Sequence, residues 1–190
     1  MEAELKAFLS HRDKSVIIEP SRISSAVLVP LYKENGKYHV VFIRRSFGVP
    51  THKGQIAFPG GARHKSDKNL LETALRETEE EIGVKQEDVT VLGELDDQIT
   101  TTSNFILTPF IGVIPWPYEF KLCKAEVERL IFVPLQALRD KNSRKPEMEI
   151  LNGQEYPSYA YFYHGKRIWG ATARVINMLL EVLDQIEDKA

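Results

Sequence analysis

Three glutamates, Glu77, Glu80 and Glu81, stand at i, i+3 and i+4 in the run LLETALRETEEEIGV over 70–84. On a helix those spacings make neighbours of the side chains, so three carboxylates repel one another there. They also sit near the helix C-terminus, where the macrodipole favours cations. A bound divalent cation reverses both penalties. Oxygen donors of this kind suit Mg²⁺ or Mn²⁺, and the neighbourhood offers no thiolate or His pair for zinc. The three residues taken alone also fit a solvated acidic face. The Phe58-Pro59-Gly60-Gly61 turn upstream supplies context, because two glycines let backbone approach a ligand and let carbonyls join a coordination shell. The chemistry such a cation serves is diphosphate hydrolysis, in which it neutralises developing phosphoryl charge and acidifies a water.

The element that must carry these glutamates is a helix over about 69–82, stopped by Gly83. Leu71, Ala74, Leu75, Thr78 and Ile82 form its core-facing stripe, with the glutamates on another face. Around it, strand and helix patterns alternate without internal repeat or low-complexity linker, as in one mixed α/β or α+β domain over 1–190. A short helix over 1–12 extends the N-terminus. Strands at 25–31 and 38–45 flank Asn35-Gly36, a hairpin signal. Short strands follow at 55–58, 89–95, 105–114 and 128–133, with a short helix at 135–139. A last hairpin pairs 159–163 with 167–169, and an amphipathic helix over 172–186 closes the chain. The polar, basic stretch 141–146 reads as an exposed loop.

With 190 residues, 43% hydrophobic and 27% charged, the chain can bury one substantial core. A net charge of -2 gives no field for nucleic acid or anionic membrane, so any phosphate must be gripped locally and the partner is a small molecule. No apolar run is long enough to span a membrane. The single cysteine, Cys123, fits a reducing compartment, and Asp188-Lys189-Ala190 is no peroxisomal address. A cytoplasmic location is the simplest expectation.

At this point the chain resembles the Nudix hydrolases. Their box runs Gly, five residues, Glu, seven residues, Arg-Glu, an apolar residue, any residue, Glu-Glu, any residue, Gly and an apolar residue. The segment 76–84, RETEEEIGV, matches every charged and glycine position of its second half. The resemblance implies that Glu77, Glu80 and Glu81 are catalytic metal ligands, one of them serving as base, with Gly61 contributing to the metal site and Arg76 orienting the glutamates. Asp67 occupies the first Glu position with one extra residue before Arg76, and it equally suits a helix cap. The implied fold is an α/β/α sandwich, a mixed β-sheet between helices.

A second resemblance is to the coenzyme A diphosphatases of that superfamily. The segment 41–61, VFIRRSFGVPTHKGQIAFPGG, keeps Arg45, Ser46, Gly54 and Phe58-Pro59-Gly60-Gly61 in register with their upstream pattern. Pro50 stands in the slot of a second Arg, which leaves Thr51, His52 and Lys53 as the polar groups, and Lys53 as the best cation for a 3′-phosphate. The implied reaction is Mg²⁺- or Mn²⁺-assisted attack of water on the diphosphate of coenzyme A, giving 4′-phosphopantetheine and adenosine 3′,5′-bisphosphate. A homodimer is compatible with it. Two alternatives stand beside this reading: another nucleoside diphosphate derivative such as ADP-ribose, and a non-catalytic nucleotide sensor. Asp96 and Asp97 suit the end of a strand better than a site wall, and Trp169 and Thr172 suit packing and a helix start.

Overall fold

A computed structural model describes residues 1–101, 103–151 and 153–188; Lys189 and Ala190 of the C-terminal tripeptide lie outside the described residues. Helix α1 (Glu2–His11) precedes strands β1 (Ile23–Glu34), β2 (Lys37–Arg45), β3 (Ile56–Ala57) and β4 (Gly60–Ala62). Helix α2 (Leu70–Ile82) leads into β5 (Thr90–Glu94), β6 (Gln98–Ile99), β7 (Phe105–Val113), β8 (Val127–Pro134) and α3 (Leu135–Arg139). The chain ends with β9 (Arg144–Leu151), β10 (Gln154–Tyr163), β11 (Lys166–Ile168) and α4 (Gly170–Glu187).

The large sheet runs β3-β2-β1-β7-β5, with β4 paired to β1, β6 to β7 and β8 to β2. It is mixed, because β1 and β7 are parallel while β1 and β2 form an antiparallel hairpin. That hairpin turns at Asn35 and Gly36, both at positive φ (49° and 78°), as a tight primed turn requires. From Ser25 to Tyr32 every residue of β1 is buried, the signature of a strand covered on both faces. Val27, Val29 and Leu31 pack in one cluster with Val175, Ile176 and Leu179 of α4 and Leu5 and Leu9 of α1. The alternate residues Ala26 and Leu28 pack with Ala74 of α2 and Phe110. The period-2 alternation of strand side chains thus separates two helical layers, and the architecture is the expected α/β/α sandwich.

The stretch 141–146 is not a loop. After a single 3-10 turn, β9 begins at Arg144 and pairs with β10, which starts at Gln154, in a small antiparallel sheet completed by β11. The apolar pattern misleads here because it is inverted: Met148 and Ile150 are exposed (56% and 64%) while the Glu149 side chain is only 11% exposed, paired with Arg174 of α4. Asp96 and Asp97 do not face the site either. They tie down the segment after α1, Asp96 through Arg12 and the Ser15 N–H, Asp97 through Lys14 and the Ile17 N–H. Among the described residues no helix is long and apolar enough to cross a membrane.

Candidate active site

Helix α2 is stopped at both ends by side-chain and backbone chemistry. Asn69, not Asp67, is its N-cap, accepting from the Glu72 N–H at 2.9 Å. Gly83 ends it in the left-handed region and donates back to the Glu79 carbonyl. The buried stripe departs from the sequence expectation: Ala74, Thr78 and Ile82 are buried as expected, but Leu71 and Leu75 are half-buried, and Thr73 and Glu81 are buried instead. A carboxylate is therefore buried on a face that the pattern kept apart from the core stripe.

Glu81 is 2% exposed. One of its oxygens accepts from the Gly60 N–H at 3.0 Å; the other is buried without a hydrogen-bond partner, 3.7 Å from an Arg45 guanidinium nitrogen. Burial pushes its carboxyl up to about 8, against the pull of the Gly60 N–H and Arg45. Glu77 lies against Gly61 so closely that a Cβ there would meet the Glu77 carboxylate carbon at 2.5 Å. Gly60, at φ +151°, has no room either, since its Cβ would fall 2.3 Å from the Ala26 carbonyl oxygen. The two glycines thus let β4 pair with β1 on one side and touch the Glu77 and Glu81 carboxylates on the other.

Arg76 organises the remaining charge. It donates to both oxygens of Asp67 at 3.0 Å, to Glu77 at 2.7 Å and to Glu80 at 3.1 Å. Asp67 is 4% exposed, and it also accepts from the Thr73 hydroxyl and the His64 N–H. Arg76, first among these partners, holds the Asp67 carboxyl well below the usual carboxylate range. The Asp at the displaced box position is therefore the anchor of Arg76, a role that neither capping nor metal binding describes. The Glu80 side chain is 58% exposed and turned outward onto Arg76, so the three glutamates do not share one face.

These elements border a cleft of about 370 Å³. Of the residues singled out from the sequence, Arg45, Thr51, His52, Gly61, Glu77 and Glu81 line it. Ser46, Lys53, Gly54 and Glu80 do not. Ser46 accepts from the Gly48 N–H in its own loop, Gly54 is packed under the Phe47 ring, and Lys53 is exposed. His52, at φ 56°, is bonded to Gln55 at 3.0 Å. Sequence reasoning missed Glu126, a third acidic wall residue whose charge acts on Glu81, because it lies far along the chain with no motif around it. It also missed Thr100, Thr101 and Ser103, and it assigned Trp169 and Thr172 to packing and a helix start; Trp169 is the residue before α4 and Thr172 lies in its first turn, and both also border the cleft.

The NUDIX domain family profile matches residues 22–152. The chain belongs to the Nudix family. It is 34% identical over 167 residues to the uncharacterized Nudix hydrolase NudL of Photorhabdus laumondii, covering 85% of this chain and 88% of the relative. NudL of Yersinia enterocolitica is 37% identical over 159 residues, covering 83% and 80%. In fold, the chain is similar to a MutT/nudix family protein from Enterococcus faecalis (TM-score 0.59, 15% identity, 97% of this chain and 75% of that one). It is also similar to the NUDIX domain of Shewanella oneidensis NrtR complexed with ADP ribose (TM-score 0.57, 14% identity, 93% and 97%).

Nudix hydrolases act on diphosphate bonds of nucleoside derivatives and generally use Mg²⁺ or Mn²⁺. Among the described residues no three acidic, His or Cys side chains are gathered into a ready-made cation cluster, since Arg76 draws off Glu77 and Glu80. The donor set nevertheless fits a hard cation. Glu81 carries a buried oxygen with no partner, the Glu77 carboxylate fills the space over Gly61, and Glu126 adds a further oxygen donor to the wall. A cation held there supplies positive charge to the diphosphate oxygens and to an attacking water.

Proposed function

We propose that this Nudix hydrolase cleaves the diphosphate of coenzyme A, releasing 4′-phosphopantetheine and adenosine 3′,5′-bisphosphate. One observation carries the reading: the segment that bears the coenzyme A diphosphatase pattern and the acidic helix line the same cleft, the first through Arg45, Thr51 and His52 and the second through Glu77 and Glu81. In this reading Glu77, Glu81, Glu126 and the Gly61 backbone are the metal-binding groups within the cleft, Glu80 joins them by turning in from its pairing with Arg76, Arg76 orients the glutamates, and a carboxylate of the wall takes the proton of the attacking water. Arg45 is the one Lys or Arg among the described lining residues, so it is the group that meets the diphosphate charge. Lys53 is exposed and outside the cleft lining.

The test is product analysis after incubation with coenzyme A and Mg²⁺, alongside ADP-ribose and 3′-dephospho-coenzyme A. The two named products and a higher kcat/KM on coenzyme A than on ADP-ribose are expected. Arg45→Ala should cost about tenfold to a hundredfold, the scale of a lost charge-assisted hydrogen bond. Lys53→Ala should change kcat/KM by less than about threefold, as for a solvated charge. A wild-type preference for ADP-ribose removes the substrate assignment.

A further inference from the structure

Part of the cleft lining bears hydroxyls, set among the apolar Phe105, Leu107 and Trp169. Thr100, Thr101 and Ser103 line the cleft from the connection between β6 and β7, and Thr172 lines it from the first turn of α4. That connection leaves a strand of only two residues, so the large sheet alone does little to hold it. Within it the Thr100 hydroxyl donates to the Ser103 carbonyl at 2.6 Å and accepts from the Phe105 N–H at 3.1 Å, and a polar network from α4 and β9 ties it to the rest of the fold. Arg174 on α4 donates to the Ile99 carbonyl at 2.8 Å and to the Gln98 side chain at 3.3 Å, and it pairs with Glu149 of β9. Glu149 in turn accepts from the Thr101 hydroxyl at 3.1 Å and from Ser158 of β10.

Two consequences follow for a ligand. Arg174 is the cation nearest this wall in the network, and its guanidinium is committed to Glu149, Ile99 and Gln98, so the wall presents no free positive charge. With no side-chain cation of its own, the wall offers hydroxyl acceptors and the backbone N–H donors at the start of α4, which together pair with uncharged amides and hydroxyls. The Thr101 hydroxyl, its proton given to Glu149, keeps lone pairs that accept from an N–H or O–H. No side chain caps the first turn of α4 beside it.

We propose that Glu149 and Arg174 are positioning residues that set this hydroxyl wall, and that the wall is the subsite for the uncharged, amide- and hydroxyl-bearing arm of the substrate beyond its diphosphate. Under the coenzyme A reading, on which this assignment of the arm rests, that arm is the pantetheine chain. Thr101 touches the arm; Glu149 and Arg174 act through it.

The test uses the full chain with Mg²⁺ and the variants Glu149→Gln, which keeps size and shape, and Thr101→Val, which removes only the contacting hydroxyl. Each should raise KM for coenzyme A by about tenfold, the scale of one lost hydrogen bond, with kcat changing less than about threefold. Inhibition by 4′-phosphopantetheine should weaken in parallel while inhibition by adenosine 3′,5′-bisphosphate stays unchanged. A general loss of structure cannot produce that one-sided split. Unchanged KM in the Thr101→Val protein, equal weakening of both products, or a fall in kcat at constant KM would each overturn the inference. If the wild-type enzyme turns over ADP-ribose and not coenzyme A, the coenzyme A reading falls and the subsite is judged separately. Weaker inhibition by ribose 5-phosphate with AMP unaffected then supports it, and any other pattern refutes it.

Discussion

Substituting Gly61 by Ala separates catalysis from stability in this fold. The new Cβ would lie 2.5 to 2.7 Å from the carboxylate carbon and both oxygens of Glu77, where ordinary contact begins roughly an ångström further out. The obstructing atoms are the far end of a flexible side chain, so Glu77 can rotate away at little cost to the fold. It then leaves both Arg76 and the cleft wall. A displacement of about an ångström in a group that positions reacting atoms is worth about a hundredfold in rate, or ~2.7 kcal/mol. Gly60→Ala is the control: its Cβ meets the Ala26 carbonyl oxygen at 2.3 Å and the Val27 Cα at 2.6 Å, neither of which can move, and its φ of +151° is open only to glycine. Initial rates at saturating Mg²⁺ and thermal melts of both variants decide the matter. Gly61→Ala should lose about two orders of magnitude in kcat with a melting temperature close to wild type, while Gly60→Ala should melt much lower or fail to fold. Near-wild-type turnover in Gly61→Ala would refute the contact between Gly61 and the working position of Glu77.

Glu81→Gln should abolish most activity yet leave the metal-free protein at least as stable, because a desolvated carboxylate has been removed. Burial raises Glu81 from 4.5 to about 8, so the folded state holds the proton more tightly and its contribution to stability is lost as pH rises across that interval. Metal-free wild type should therefore lose melting temperature from about pH 5 to 8 relative to Glu81→Gln, and parallel profiles would contradict the burial argument. Asp67→Asn leaves the Arg76 guanidinium short of its main partner and should cost about 3 kcal/mol in urea unfolding, together with a loss of kcat; a loss below about 1 kcal/mol would return Asp67 to a minor role. Millimolar Mg²⁺ or Mn²⁺ should raise the melting temperature, with reversal by EDTA, because the folded cleft is lined by Glu77, Glu81 and Glu126, which the unfolded chain keeps apart; insensitivity without substrate would mean that the cation arrives with the diphosphate.

Local pattern was enough for what depends on near neighbours in the chain. The Asn35-Gly36 turn, the helix halted at Gly83, the aliphatic run of β1 and the spacing of Arg76, Glu77, Glu80 and Glu81 are set by backbone conformation and side-chain periodicity within a few residues. They sufficed for the acidic helix and a mixed α/β or α+β domain, and the sandwich followed from the family resemblance that the glutamate spacing carried. What only the tertiary structure decided is which polar groups are carried inward by contacts between distant segments. Glu81 and Glu80 are adjacent in sequence, yet one is buried against Gly60 and the other faces solvent, because the Gly60-Gly61 strand packs over just one side of α2. Lys53, the natural cation by composition, stays off the cleft that its neighbours Thr51 and His52 line, and Glu126 reaches the wall from the start of β8. The inward Glu149 beside the outward Met148 and Ile150 inverts the strand pattern altogether, since pairing with Arg174 compensates its burial in a way that no hydrophobic periodicity encodes.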